Sequence, residues 1–361
     1  MSSLHGFDRI IGQDAARQVL LKAVHAAEPA HAYLFLGLAG TGKTKTALEF
    51  AKALDCENPT ETGACEECAI CKAIEHGNFP DIRLWSPKGR DTTIENMREM
   101  RDLASFKPMR GKWVVNVVER ADTLNEDSAN CILKLLEEPP SYVINILLYR
   151  NAANILPTIR SRCQLVRFEQ VNNDLLAARL VEEHDLSQEE AEFLASYSQG
   201  RPGMAIGLID NNEFQQKRNS AASVAAACAT NNPWAALGLA DALRSGGGPK
   251  PSDAESEGDE DEEPAQTRGA GRRKGVRDAS LEALDTLVVW YRDLLAIKMQ
   301  GGDAPIVNCD KRAEIAAQSA SYSDASPLLA GVEAILHTKR CIQGNANPQI
   351  ATEALMMQLC S

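Results

Sequence analysis

The chain has 361 residues, more than one ordinary core organises, so two or three domains are expected. Hydrophobic residues make up 44%, charged residues 24% and aromatics only 5%, which excludes a largely disordered chain and points to aliphatic helix packing around one modest sheet. The formal charge of −12 looks hostile to nucleic acid, but the acidic run 252–264 supplies eight of the acids, so net charge neither supports nor excludes a role near DNA.

No run of about 18 uncharged apolar residues occurs, and the opening residues lack the basic and apolar regions of a signal peptide. A cytoplasmic protein without membrane contact is expected. Ten cysteines in a reducing compartment argue for a metal rather than bridges where four of them cluster, and for reduced thiols elsewhere.

In chain order, His31 to Leu36 is an apolar strand candidate that runs into Gly37, and a helical pattern follows through Ala47, Leu48, Phe50, Ala51 and Leu54. Between them, Gly37-Leu38-Ala39-Gly40-Thr41-Gly42-Lys43-Thr44 fits G-x-x-x-x-G-K-[ST] in the strand–loop–helix context of a phosphate loop. Its glycines (Gly37, Gly40, Gly42) and Thr41 let backbone N–H groups curl around phosphates. Lys43 offers a point charge and Thr44 a hydroxyl for Mg²⁺. ATP or ADP with Mg²⁺ is the expected ligand.

After that helix come Cys56, Cys65, Cys68 and Cys71, spaced C-x8-C-x2-C-x2-C. The close spacings suit a closed tetrahedral zinc site of four thiolates, structural rather than catalytic, over 56–71. Nearly continuous apolar runs at Trp113 to Val118 and Val143 to Leu148 predict strands covered on both faces of a parallel sheet, with a helix over Glu126 to Glu138 stopped by Pro139 and Pro140. A doubly wound α/β domain is therefore predicted over 1–170, its ligands at the carboxyl ends of the strands.

The first of these two runs ends in Glu119-Arg120-Ala121-Asp122. Glu119 can help organise Mg²⁺, but hydrolysis in many phosphate-loop ATPases uses a second acid, and a guanidinium cannot serve as a base at neutral pH. Asp122 reads as a turn or helix-capping acid rather than a replacement. Ser161-Arg162-Cys163 follows Pro157; from spacing alone Arg162 is a solvated charge or an arginine offered to a neighbour's phosphate site.

From Asn172 the pattern turns helical, with a small helical domain expected over 171–210 and a second over 211–361. Residues 245–278, rich in Gly, Pro, Ser, Asp and Glu and then basic, are expected to be a disordered insertion in the last domain.

Phosphate loop, four-cysteine module after its helix, Leu133-Lys134-Leu135-Leu136-Glu137-Glu138-Pro139-Pro140 and Ser161-Arg162-Cys163 together resemble the bacterial clamp-loader family. The resemblance is close over residues 1 to about 210 and weaker through Trp290 to Leu295 and Asn345 to Leu359. It implies an AAA+ α/β domain, a helical lid and a helical collar. It implies partners too: gamma/tau motor subunits and a delta subunit in a five-membered ring, the sliding clamp, and primed DNA through the complex. It also implies that Arg162 is an arginine finger supplied in trans. Family motors resemble a pattern with Asp-Glu where this chain has Glu119-Arg120, and with a lid arginine where it has Gly203, so a non-motor member is expected, with an active gamma/tau-type ATPase as the alternative. The intact phosphate loop departs from the best-known non-motor members. A zinc-bearing nucleic-acid switch is disfavoured because no basic stripe or aromatic platform accompanies the cysteines. Nothing resembles a polymerase active site, so polymerase activity would belong to the holoenzyme.

Overall fold

The computed structural model describes residues 4–87, 94–229, 238, 240 and 265–360, with only the backbone of 265–276. The chain divides into two compact units, Met1–Ile206 and Gly207–Ser361.

The first unit holds α1 (Asp14–Ala26), β1 (Ala32–Leu36), α2 (Lys43–Asp55), α3 (Ala69–Glu75), β2 (Ile82–Trp85), α4 (Ile94–Ala104), β3 (Val114–Val118), α5 (Glu126–Glu137), β4 (Val143–Tyr149), α6 (Pro157–Arg160), β5 (Gln164–Arg167), α7 (Asn173–His184) and α8 (Gln188–Tyr197). A short helix, α9 (Pro202–Leu208), runs across the division. All strand pairs are parallel, in the order β2-β3-β4-β1-β5, the α/β arrangement that the sequence leads one to expect.

Side chains alternate across the sheet as a period of two demands. Tyr33, Phe35, Val115, Val117, Ile144 and Ile146 face a core shared with Leu20 of α1 and Phe50 of α2. Ala32, Leu34, Val114, Val118, Val143 and Leu147 face the opposite core, with Met97 and Met100 of α4 and Leu135 of α5. Burial on both faces explains why these central strands read as unbroken apolar runs. Two polar residues interrupt them in register: Asn116 donates to Asn145 Oδ1 at 3.3 Å and accepts from Trp85 Nε1 at 3.1 Å.

The edge strands β2 and β5 were not anticipated. Each is four residues long and carries a charged or polar residue, Arg83 in one and Gln164 and Arg167 in the other, because an edge strand needs burial on fewer sides.

The second unit contains α10 (Asn212–Cys228), α11 (Ala265–Gln300), α12 (Arg312–Ala320), α13 (Ser326–Gln343) and α14 (Pro348–Leu359). Leu284, Leu287, Trp290, Tyr291 and Leu294 of α11 are the spine of its core. Gly331 of α13 allows a close approach there, since a Cβ on it would lie 2.8 Å from the Tyr291 ring.

The disordered insertion expected at 245–278 is corrected in part. Residues 245–264 lie outside the described set, but from Ala265 the chain is already helical as the first turns of α11. Extending a helix nucleated by buried residues fixes one residue per added hydrogen bond, and Ala, Gln and Arg are good helix formers. Arg277 anchors this end, donating to Asn345 Oδ1 at 2.6 Å and the Gln343 carbonyl at 2.5 Å. No described helix is long and apolar enough to cross a membrane.

Candidate functional site

The loop Gly37 to Gly42 connects the carboxyl end of β1 to the amino end of α2. Gly40 and Gly42 have φ of 82° and 94°, left-handed values that glycine adopts without strain, and a Cβ at Gly42 would meet nothing within 4 Å. The loop thus leaves open space at the amino end of α2, where helix amides favour an anion. Gly37 N–H is fixed to the Tyr149 carbonyl of β4 at 3.1 Å, and Thr41 Oγ1 donates to the Leu38 carbonyl at 2.8 Å.

Lys43 folds back on this loop, donating to the Gly37 and Leu38 carbonyls at 2.6 Å each. Burial pushes its ammonium down to about 8; neighbouring Arg150 adds to this effect and Asp122 opposes it. Arg150, just past β4, is a cation that sequence reasoning missed; its position after the strand that carries the Tyr149 carbonyl was the available signal.

Thr44 Oγ1 donates to Glu119 Oε1 at 3.0 Å, and Ser86 Oγ donates to Glu119 Oε2 at 2.7 Å. The hydroxyl and the carboxylate that could share a Mg²⁺ are therefore side by side, at the ends of α2 and β3. Next to them Arg120 has φ of 49°, an unusual value for a side-chain-bearing residue, and its Nε is buried without a hydrogen-bond partner among the described residues. Asp122 does not cap the next helix: Asn125 does, accepting from Ser128 N–H at 2.9 Å. Asp122 Oδ1 is buried without a hydrogen-bond partner among the described residues, and its charge acts on Lys43.

The start of α9 lies on the phosphate loop. Gly203 N–H donates to the Gly40 carbonyl at 2.8 Å, and a Cβ at Gly203 would stand 3.1 Å from that oxygen. A side chain at 203 would therefore need the loop or the helix to give by a few tenths of an ångström. Gln13 ties the same loop to the chain beyond β5, donating to the Thr41 carbonyl at 3.4 Å and the Glu169 carbonyl at 2.7 Å and accepting from Glu169 N–H at 3.0 Å.

Arg162 is distant in sequence from this loop and is held by its own neighbours. It donates to Glu137 Oε1 at 2.9 Å and to the Thr158 carbonyl at 3.0 Å, while partly exposed.

The four cysteines converge. All Sγ atoms lie within 4.8 Å of one another, with Cys56–Cys71 at 3.7 Å and Cys65–Cys71 at 4.0 Å. A tetrahedral ion with metal–sulfur bonds of about 2.3 Å needs sulfur separations of about 3.8 Å, so the residues fit a metal. Backbone amides already face the sulfurs: Cys65 N–H to Cys56, Cys68 N–H to Cys65 and Cys71 N–H to Cys68, at 3.3–3.4 Å. Burial raises the Cys68 thiol, but amides of Cys71 and Glu57 outweigh it and bring the group down to about 7. Burial holds Cys71 well above the usual thiol range, a cost that a metal's charge would offset.

An ion-pair cluster not foreseen from sequence fastens this module to α2. Lys52 Nζ reaches Glu75 at 2.7 Å, Glu66 at 2.9 Å and Glu49 at 3.2 Å, and Arg9 joins the same three acids. The geometry defines a class: a phosphate-loop α/β protein with a closed thiolate module built onto the helix that follows the loop.

Comparison with known proteins narrows this class. Residues 12–172 match the family described as DNA polymerase III, delta subunit. The delta′ subunit of Bacillus subtilis DNA polymerase III is 28% identical over 352 residues, 96% of each chain. The tau subunit of the same organism is 34% identical over 209 residues, 56% of this chain and 37% of tau. The chain thus spans about a third of the length of that tau relative. A solved gamma subunit-related protein of Thermotoga maritima aligns over 95% of this chain and 99% of its own with TM-score 0.49 and 15% identity. The chain is thus similar to subunits of bacterial DNA polymerase III, over residues 12–172 by the family model and end to end, at lower identity, to a delta′ subunit.

Proposed function

We propose that the chain works as a delta-prime-type, non-motor component of a clamp loader that places the sliding clamp on primed DNA during replication. The observation that carries this is the composition of the strand end and lid: Glu119 is followed by Arg120 in a left-handed turn, and Gly203 packs directly on Gly40. Both positions lack a group that would act on a γ-phosphate. The end-to-end similarity to a delta′ subunit, where the tau subunit of the same organism matches over 56% of this chain, supports the same reading.

In this role the loop Gly37–Thr44, with Glu119, holds ATP or ADP and Mg²⁺ as a structural ligand. Cys56, Cys65, Cys68 and Cys71 hold Zn²⁺. Arg162 is released from Glu137 and offered to the nucleotide of an adjacent gamma/tau motor subunit, where its fixed charge stabilises the transferring phosphate. The partners are gamma/tau and delta subunits and the clamp, in the cytoplasm. The chain's own domains are an α/β domain over 1–170, a lid over 171–210 and a collar over 211–361.

A second reading, an active gamma/tau-type ATPase, draws on Asp122, whose buried Oδ1 has no hydrogen-bond partner among the described residues and whose charge acts on Lys43, as an acid that could replace the missing one. Steady-state ATP hydrolysis separates the two. The purified chain alone is expected to be inactive, and Arg162→Ala is expected to lower turnover by the assembly with motor subunits. Brisk hydrolysis by the chain alone, abolished by Lys43→Ala, would establish the motor instead.

A further inference from the structure

Outside the thiolate module, two cysteines of the second unit meet. Cys228 is the last residue of α10, and Cys360 follows α14, its N–H donating to the Met356 carbonyl at 3.0 Å. Both are 1% exposed, inside the core built on Trp290 and Tyr291. Their sulfurs are 2.8 Å apart, with 132 positions of sequence between them. That separation is shorter than the 3.7 and 4.0 Å found between thiols of the metal-type cluster, and within about an ångström of the ~2.05 Å of a disulfide. No cluster of three or more metal-ligating side chains includes them among the described residues, so the pair has bond-like spacing without the remaining ligands of a metal site.

We propose that Cys228 and Cys360 form a reversible redox site, closing to an intrachain disulfide when a small-molecule disulfide is present. Cys360, like Cys228, stands at a helix end, where local opening costs least, but it lies one residue outside its helix while Cys228 is still within α10, so Cys360 is the entry point. Its thiolate attacks the small-molecule disulfide, forming a mixed disulfide and releasing one thiol. The Cys228 thiolate then attacks the Cys360 sulfur and expels the second thiol. Two protein thiols are oxidised and one small-molecule disulfide is reduced to two thiols, the two protons released by the cysteines being taken up by the two expelled thiolates. Burial keeps the Cys228 thiol well above its ordinary range, so the second step follows the opening rather than preceding it. The bond fastens the end of α14 to α10 and removes freedom from the unfolded chain across a long loop.

The test uses the full-length chain with its metal retained, incubated with oxidised glutathione, alkylated under denaturing conditions and mapped without reduction. The expected result is one cross-linked peptide pair joining Cys228 to Cys360, loss of two alkylation sites, retained metal, and an upward thermal shift of several degrees that dithiothreitol reverses. Cys360→Ser and Cys228→Ser should each show no such shift. The proposal is overturned if both residues remain alkylated after oxidation, if glutathione stays on either as a stable adduct, or if either pairs with a cysteine of the 56–71 module.

Discussion

Replacing Lys52 with methionine removes the cation at the centre of the first unit's ion-pair cluster while keeping most of the side-chain volume. Lys52 is 1% exposed, and its ammonium contacts three carboxylates at 2.7–3.2 Å. Without it Glu49, Glu66 and Glu75 are left with Arg9 alone, and Glu49 is itself buried. Breaking a buried pair by deleting one partner costs about 3–5 kcal/mol; because Glu75 is 47% exposed and can turn to water, the low end applies, about 3 kcal/mol. With a urea slope of about 2–3 kcal/mol/M, the midpoint of the first unit should fall by roughly 1–1.5 M. Hydrogen exchange read peptide by peptide across a urea series measures this, with peptides of 280–360 as an internal control for the second unit. A midpoint change worth less than about 0.5 kcal/mol would refute the claim that Lys52 compensates buried acids. Adding Glu75→Gln should recover part of the loss, as coupled partners do.

Two groups make stability rise with pH, in separate windows. Glu75 is held down to about 2, first by its bond to Arg9 and then by Lys52, so its contribution is complete above about 4.5 and is lost as pH falls toward 2; Glu75→Gln should flatten that acid limb of the unfolding curve. Lys43 is held near 8 by burial, so the free chain should gain stability between pH 8 and 10.5 as the folded group releases its proton, while affinity for a fluorescent ATP analogue falls over the same range; Lys43→Ala should remove both trends. Glu137→Gln deletes an exposed ion pair worth about 0–1 kcal/mol, so melting should barely move while ATP turnover by the assembly with motor subunits rises by up to about fivefold as Arg162 is freed. Stripping metal with a chelator should release one zinc per chain by elemental analysis and raise hydrogen exchange in 56–75 while peptides of 280–360 stay protected.

The central strands and the phosphate loop were legible because burial on two faces and the need for glycine leave direct marks on composition: Val114–Val118 and Val143–Tyr149 lie within a residue of the apolar runs. The cysteine cluster was legible from spacing, since short x2 loops bring amides to sulfur. What escaped depends on contacts between distant segments. Lys52, Glu66 and Glu75 look like surface charges in a helix and a loop, and only the fold makes Lys52 a buried hub. Asp122 reads as a turn or capping acid; it lies in the short turn Ala121–Thr123, the cap is Asn125, and nothing in the sequence signalled that its charge would act on Lys43. The helical start of α11 escaped because its glycines and charges carry the composition of a linker, and the residues that nucleate the helix lie farther on, from Leu281.

Helix α2 connects the two chemical sites of the first unit. Its first turn carries Lys43 and Thr44, and its last turns carry Lys52 and Asp55 before Cys56 begins the thiolate module. Asp55 accepts from the amides of Lys112 and Trp113 at 2.6 and 3.2 Å, so the same helix end also fixes the approach to β3, whose far end presents Glu119 to Thr44. A rigid thirteen-residue helix pinned at its carboxyl end by an ion-pair hub and at its amino end by the phosphate loop has little freedom to slide. Loss of the metal should therefore reach the loop: chelation ought to weaken binding of the ATP analogue although no cysteine of the module lies in the phosphate loop. Unchanged affinity in the stripped chain, with 56–75 demonstrably exchanging faster, would mean that α2 is held by the sheet alone and that the module serves only its own surface.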